Sequence, residues 1–550
     1  MSAAPDPFAA FDAPPANPNV ALDLRQRAEA NPSGVAVRVP AGRGKWREIS
    51  FAGIEAESDA LAYALDKRGF HTGDRVCVFV RAGIELIAVT YALFKLGAIP
   101  VLIDPGMGRK RLLACVEHIR PNGMVGIPAA MVARRLFRHS FRSVERSFTV
   151  PRAGKLSKKF AGRAPFELAS PALEAEAAIL FTSGSTGPAK GVVYTYQTFR
   201  AQLEALRALY DFRAGEVDVV CFPLFALFDT ALGMTSVFPE IDPSHPGDCD
   251  PELIARAIRE NKATLTFGSP AIWKRVVPWL IERGETLPSL RRVLIAGAPV
   301  PPSLVEGFHR VLEGEADVFT PYGATESLPV ASISGREILE RREAAETGAG
   351  TCVGKIAPGI DCRLIRITDD AIETWSDDLE VEPGCEGEIV VRGPAVTRSY
   401  KFEPEHNRLS KITDGEHVWH RIGDIGRFDE EGLLWFYGRK SHRLQTERGL
   451  VLPVPQENIF NTHPAVRRSA LVGVGKPGEE LPVLIIEPVE PPSGSERGTL
   501  AEEIASYRAQ LDGRITPTRV LFHKSFPVDV RHNAKIHRGE LKAWATTHVQ

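Results

Sequence analysis

Little in this chain favours a disulfide scaffold, a metal cage or a membrane span. Its seven cysteines, at positions 77, 115, 221, 249, 352, 362 and 385, form no CxxC pair and have no histidine at metal-ligand spacing. An odd, scattered set argues against a disulfide framework and suits free thiols in a reducing cytoplasm, so most are expected to be small core residues. Positive charge is not in excess: 67 Lys and Arg stand against 69 Asp and Glu, a net charge of -2, which argues against general nucleic-acid binding. Long apolar runs are missing too. The most apolar stretch, VVCFPLFALFDTALGMTSVFP (219–239), contains Asp229, two prolines and a glycine, so it predicts buried core or a pocket wall, and no transmembrane segment is expected. The opening MSAAPDPFAAFDAPPANPNV carries acids where a secretory signal carries bases, and residues 1–20 read as a flexible arm.

What is present is an ordinary globular composition, 44% hydrophobic and 25% charged, over 550 residues. Short β-branched runs alternate with helical patterns, which predicts layered α/β structure. In GIELIAVTYALFKLGAIPVLID, Ile84, Ile87, Ala88 and Tyr91 follow helical spacing, and Gly97 ends the helix before a buried strand. In RRVLIAGAPVPPSLVEGFHRVL a strand is expected from Val293 to Ala296, then a loop at Gly297 and a helix opening near Pro301 and Pro302. Ligands of such sheets collect where strands end at their carboxyl edge, which is where Gly297 to Pro299 fall.

Between Arg134 and Arg163 many Arg and Lys accompany a single acid, Glu145, and Leu136, Phe137, Phe141 and Val144 are candidates for one apolar face. An acidic partner or a membrane surface is one reading. A solvated basic face over a packed helix is the other, and the favoured one.

The densest functional signal is FTSGSTGPAKG at 181–191. It is not a Walker A sequence, because Ala189 stands five residues beyond Gly184 and no GK[ST] follows. Its glycines still let backbone N–H groups approach an anion, its hydroxyls add donors and Lys190 adds charge, as a triphosphate loop requires. The segment resembles the phosphate loop of the adenylate-forming enzymes: the acyl-CoA synthetases, luciferases and peptide-synthetase adenylation domains. Tyr322-Gly323-Ala324-Thr325-Glu326 is similar to the family's YGxTE, Gly297-Ala298-Pro299 to its adenine-lining segment, and GEIVVRGP (387–394) and HRIGDIG (420–426) follow in family order. GRK at 438–440 and FPVDVRHNAKIHR near the end complete the series, so the resemblance covers nearly the whole chain.

That resemblance implies an α/β fold with a large domain of layered α/β and β subdomains (21–437), a hinge (438–442) and a small mobile α+β lid (443–550). It implies ATP and Mg2+ as cofactors. Thr182, Ser183, Gly184, Ser185, Thr186, Gly187 and Lys190 would hold the phosphates, with Thr182 among the catalytic residues. Tyr322 would stack on adenine beside Gly297, Ala298, Pro299, Gly323 and Ala324, Thr325 would meet phosphate, and Glu326 would bind the metal. Asp424 would accept the ribose hydroxyls, Arg439 would contact the ribose, and Lys535 would be the catalytic lysine.

Several positions depart from the common pattern: Ser441 at the hinge, Ala226 in the PLFH-like segment, Tyr196 where a histidine is common, and Ala534 before the lysine. With RHNAKI, NTHPAV and GTCVGKIAPG, they resemble the olefin-biosynthesis branch, whose members are β-lactone synthetases. The branch implies a long-chain 2-alkyl-3-hydroxy acid substrate, cytoplasmic location, and a lactone decarboxylase and a reductase as pathway partners. A long-chain acyl-CoA or acyl-AMP ligase is the alternative enzyme, and a non-catalytic adenylate-binding scaffold is the reading from another class.

Overall fold

The computed structural model describes residues 6–11, 15–42, 44–181, 189–528 and 536–549. Two mainly parallel sheets, an antiparallel β region and a small C-terminal sheet make up the chain. In one sheet the strands Val35–Pro40, Thr235–Val237, Val217–Val220, Leu265–Gly268, Arg292–Ile295 and Asp317–Ala324 run parallel in that order. Its far side continues through antiparallel strands that include Thr351–Ile356, Leu434–Arg439 and His417–Phe428.

The second sheet has the order Arg146–Thr149, Gly123–Gly126, Arg75–Phe79, Ile99–Ile103, Glu176–Phe181 and Gly191–Thr195. Only its last pair is antiparallel, with Phe181 opposite Gly191. The helix Ile84–Leu96 sits between the sheets, and all but one of its residues are buried. Gly97 closes it at φ 69°, the left-handed cap expected of that glycine.

The strand expected at 293–296 lies one residue earlier, at Arg292–Ile295, and the helix after it opens at Pro302. The apolar 219–239 stretch is cut by turns into a strand end, the helix Ala226–Leu232 and the strand Thr235–Val237, and most of it is core. Among the described residues no helix is long and apolar enough to cross a membrane. All seven cysteines are free and five are buried. The opening arm does not stand wholly clear of the body. Phe8 stacks on the His417 ring at 4.1 Å and Phe11 packs on an apolar cluster of the antiparallel region, because two aromatic rings gain by leaving water.

One buried pair has no counterpart in the sequence reading. Asp218, on the strand Val217–Val220, faces Asp229 of the helix Ala226–Leu232, both inaccessible to solvent, with the Ser236 hydroxyl donating to Asp229 Oδ2 at 2.8 Å. Burial raises both carboxyls, and the facing negative charge raises Asp218 further, so a proton held by Asp218 and shared with Asp229 satisfies the pair. The folded protein therefore binds more protons than the unfolded chain at mildly acidic pH. Stability from this pair is expected to fall as pH rises from the ordinary carboxylate range through about 7. Asp229→Asn, which keeps a hydrogen bond without a second charge, is expected to flatten the melting-temperature profile across that range. An unchanged slope in a thermal-melt series would reject the shared proton.

The C-terminal region has its own sheet, Val466–Val474, Leu481–Pro488 and Arg519–Phe522, and two apolar clusters on its faces. It also touches the rest of the chain. Arg508 donates to the Glu346 carbonyl at 2.8 Å and Asn458 to the Gly350 carbonyl at 3.0 Å.

Candidate functional site

The tip of the YGATE hairpin is built by a close approach. Ala324 pairs with Ser327, leaving Thr325 and Glu326 as a two-residue turn. A Cβ on Gly323 would stand 2.4 Å from the Ser327 carbonyl oxygen, so only glycine lets the strands meet there. The turn is held from outside: the Tyr194 hydroxyl donates to the Thr325 carbonyl at 2.7 Å, and the Thr397 N–H to the Glu326 carbonyl at 2.8 Å. Gly297 to Pro299 follow the carboxyl end of the parallel strand Arg292–Ile295, whose neighbour Asp317–Ala324 carries Tyr322.

Two carboxylates are presented next to this turn. Asp424 lies opposite Arg439 on paired antiparallel strands, and its Oδ1 is 3.1 Å from Arg439 Nη1. The Tyr322 hydroxyl donates to Asp424 Oδ2 at 2.6 Å. Burial, with the facing carboxylate, holds the Tyr322 phenol protonated well above its ordinary range.

Glu326 is the other centre. The Tyr400 hydroxyl donates to its Oε1 at 2.6 Å, and burial together with the Glu326 charge likewise pushes that phenol up. Lys190 and Lys411 place their ammonium groups 5.3 and 5.5 Å from the Tyr400 ring centroid, within cation–π range. Burial lowers both lysines, Lys411 to about 7, while Glu326 opposes the shift in each. The Asp424 carboxylate raises Arg439 above its ordinary range against the burial that lowers it, and the Glu326 charge acts in the same direction as Asp424.

Of the residues expected from sequence, Lys190, Tyr322, Glu326, Asp424 and Arg439 therefore share one electrostatic neighbourhood. Thr182, Ser183, Gly184, Ser185, Thr186 and Gly187, and the lysine at 535, lie outside the described residues. Phe181 and Gly191 fix where the loop begins and ends.

The donor set suits a nucleotide that arrives with its metal. Among the described residues no group of three or more His, Cys, Asp or Glu could cage an ion. Mg2+ is commonly held by one or two carboxylates plus substrate phosphates, and a single Glu326 with Lys190 nearby is a donor set of that kind.

A model of the family described as AMP-binding enzyme matches residues 24–401. The chain belongs to the AMP-binding enzyme family. It is an enzyme of the adenylate-forming kind, a ligase. It is 43% identical to the olefin beta-lactone synthetase of Xanthomonas campestris pv. campestris, covering 96% of this chain and 97% of that one. It is 41% identical to the olefin beta-lactone synthetase of Stenotrophomonas maltophilia, covering 97% and 99%. The O-succinylbenzoate coenzyme A synthetase of Bacillus subtilis, solved with ATP and magnesium ion, shares its fold at a TM-score of 0.73 and 21% identity, over 94% of this chain and 99% of that chain.

Tyr400, Tyr194 and Lys411 were not singled out in the sequence. Each lies outside the quoted motifs, and each acts on a motif residue from a distant part of the chain. The sequence signal for Tyr400 is slight: one tyrosine six residues past the GP of GEIVVRGP.

Arg538 forms a two-pronged ion pair with Glu457. The surroundings of Ser441 are visible as well. Lys440, next to Ser441, reaches both oxygens of the fully buried Glu388 at 2.9 and 3.0 Å, and Arg421 pairs with the same carboxylate at 2.6 Å. Tyr196 is almost wholly buried at the start of the helix Tyr196–Tyr210, and Ala226 is fully buried.

Proposed function

We propose that this enzyme is a β-lactone synthetase: it activates a long-chain 2-alkyl-3-hydroxy acid as its acyl-adenylate and then closes the ring. Identity of 43% across nearly the full length of an enzyme named olefin beta-lactone synthetase is the observation that carries the reading. In the first step the substrate carboxylate attacks the α-phosphorus of ATP and pyrophosphate leaves. Two anions must meet, so the chain's work is positioning and charge neutralisation. The 182–190 loop with Lys190 holds the phosphates, Glu326 takes the Mg2+ that comes with them, Asp424 and Arg439 hold the ribose, and Lys535 bridges carboxylate and α-phosphate. Tyr322, Gly297, Ala298, Pro299, Gly323 and Ala324 border the adenine, with Thr325 and Thr182 on phosphate.

In the second step the 3-hydroxyl oxygen bonds to the activated carbonyl carbon, the acyl C–O bond to the AMP phosphate breaks so that AMP leaves with that electron pair, and the hydroxyl proton passes to water as the four-membered ring forms. Such closure needs no thiol acceptor and no large domain rotation. Lys440 anchored on buried Glu388 supports a C-terminal lid (443–550) held against the large domain (21–437) through a short hinge (438–442). The partly buried Phe222, Leu224 and Phe228, on the stretch 219–239, are suited to the alkyl-chain wall. The setting we propose is the cytoplasm, with a reductase supplying the hydroxy acid and a decarboxylase consuming the lactone.

The deciding assay supplies ATP, Mg2+ and a 2-alkyl-3-hydroxy acid with and without CoA, and follows ring protons by NMR. Lactone is expected without CoA. AMP release that requires CoA, with no lactone, would move the protein to the acyl-CoA ligases.

Tyr400 orients Glu326 in this scheme. Tyr400→Phe removes one hydrogen bond and leaves the ring, so the Mg2+ dependence of adenylation is expected to shift by roughly tenfold or more, as loss of a partner behind a metal ligand commonly does. A magnesium titration unchanged from wild type would show that Glu326 needs no such support.

A further inference from the structure

The basic segment is the strong sequence feature that adenylation leaves unused. Of its expected apolar face, Phe141 and Val144 are buried, but Leu136 is 72% exposed. The helix Pro128–Leu136 contains no buried residue. Its Val132, 53% exposed, lies one turn before Leu136 on the same face, and these are the two most exposed large apolar side chains among the described residues.

Beside that helix lies an open cavity of about 610 Å³ lined by Arg68, Arg134, Arg135, Arg138 and Arg142, with no carboxylate in its wall. Arg134 is committed inward, to the Ser147 hydroxyl at 2.9 Å and the Val144 carbonyl at 2.7 Å. Arg68, Arg135 and Arg138 are exposed and pair with no carboxylate among the described residues. The patch borders Arg146–Thr149, the edge strand of its sheet, four strands from Glu176–Phe181, where the phosphate loop begins. At ~4.8 Å per strand that is roughly 19 Å, so these arginines do not serve the triphosphate.

We propose that this face docks on an anionic bilayer surface, with the arginines at lipid phosphates and Val132 and Leu136 dipping between headgroups. Guanidinium groups match phosphate geometry, and the adjoining apolar pair is what a soluble anion or nucleic acid would leave exposed to water. The proposal does not depend on which acid the enzyme activates.

Co-sedimentation of the full chain with vesicles tests it, using phosphatidylcholine alone and phosphatidylcholine with phosphatidylglycerol in equal parts. Binding is expected only to the second kind and is expected to weaken with salt. Each basic residue near such a surface is worth about fivefold in partitioning, so Arg135→Gln with Arg138→Gln should lower binding roughly 25-fold. Leu136→Ser, with all charges kept, should lower it by roughly tenfold. Retained ATP–pyrophosphate exchange reports that these variants are folded. Arg448→Gln with Arg467→Gln, exposed on the C-terminal region, should bind as wild type. Equal binding to both vesicle kinds, no binding to either, or undiminished binding by the Arg135/Arg138 or Leu136 variants would overturn the proposal.

Discussion

Lys535→Ala is expected to slow acyl-adenylate formation by about two to three decades while the melting temperature stays at the wild-type value. In the proposed mechanism the reason is electrostatic. The substrate carboxylate and the α-phosphate both carry negative charge, and attack brings their oxygens into contact while charge on phosphorus builds. A positioned ammonium between them offsets that repulsion most at the transition state, and removing one such preorganised donor typically costs ~3–4 kcal/mol of barrier. The magnesium and phosphate-loop contacts remain in the variant, so ATP binding should change far less than turnover. ATP–pyrophosphate exchange at saturating ATP reads the chemical step, and calorimetric titration with ATP reads binding. Exchange within about threefold of wild type would remove Lys535 from the bond-making step.

On the proposed ribose assignment, Asp424→Ala should raise the KM for ATP by roughly a hundredfold, because two charge-assisted bonds to ribose hydroxyls, at ~1.5–3 kcal/mol each, would be lost together. The side chain has a second role. It is almost fully buried, it accepts the Tyr322 hydroxyl, and it faces Arg439. Removing a buried ionic partner costs about 3–5 kcal/mol when the other charge stays buried. The Arg439 side chain is 37% exposed and can rehydrate, so the fall in stability should be smaller than that range. Asp424→Asn separates the two roles: it keeps the shape and an acceptor for Tyr322, and should restore most of the melting temperature but little of the ATP affinity. An Asp424→Ala variant with wild-type KM would end the ribose assignment, whatever its stability.

The outcomes at Glu326 and in the basic segment differ in how far the sequence reached. Glu326 stands in a motif, and a Gly-Ala-Thr-Glu turn is legible because its glycine is required by a close backbone approach. The hydroxyl that holds Glu326 comes from Tyr400, 74 residues away in the chain. Nothing local marks it. In the basic segment the residue pattern allowed one apolar face, but burial divided it: Phe141 and Val144 went into the core of the second sheet, and Leu136 stayed in water.

By itself the sequence determined the family, the order of the motifs and the α/β class, since these follow from local patterns: glycines where backbone must approach an anion, apolar periodicity, and caps such as Gly97. Tertiary structure decided which side chains face each other. It placed Asp424 opposite Arg439, set Tyr322 on Asp424 and Tyr400 on Glu326, buried Asp218 against Asp229, and tied Lys440 to Glu388. The physical reason is that hydrogen bonds and charge pairs act over a few ångströms across strands far apart in the chain. Strand order and register, which no short window of residues encodes, fix those distances.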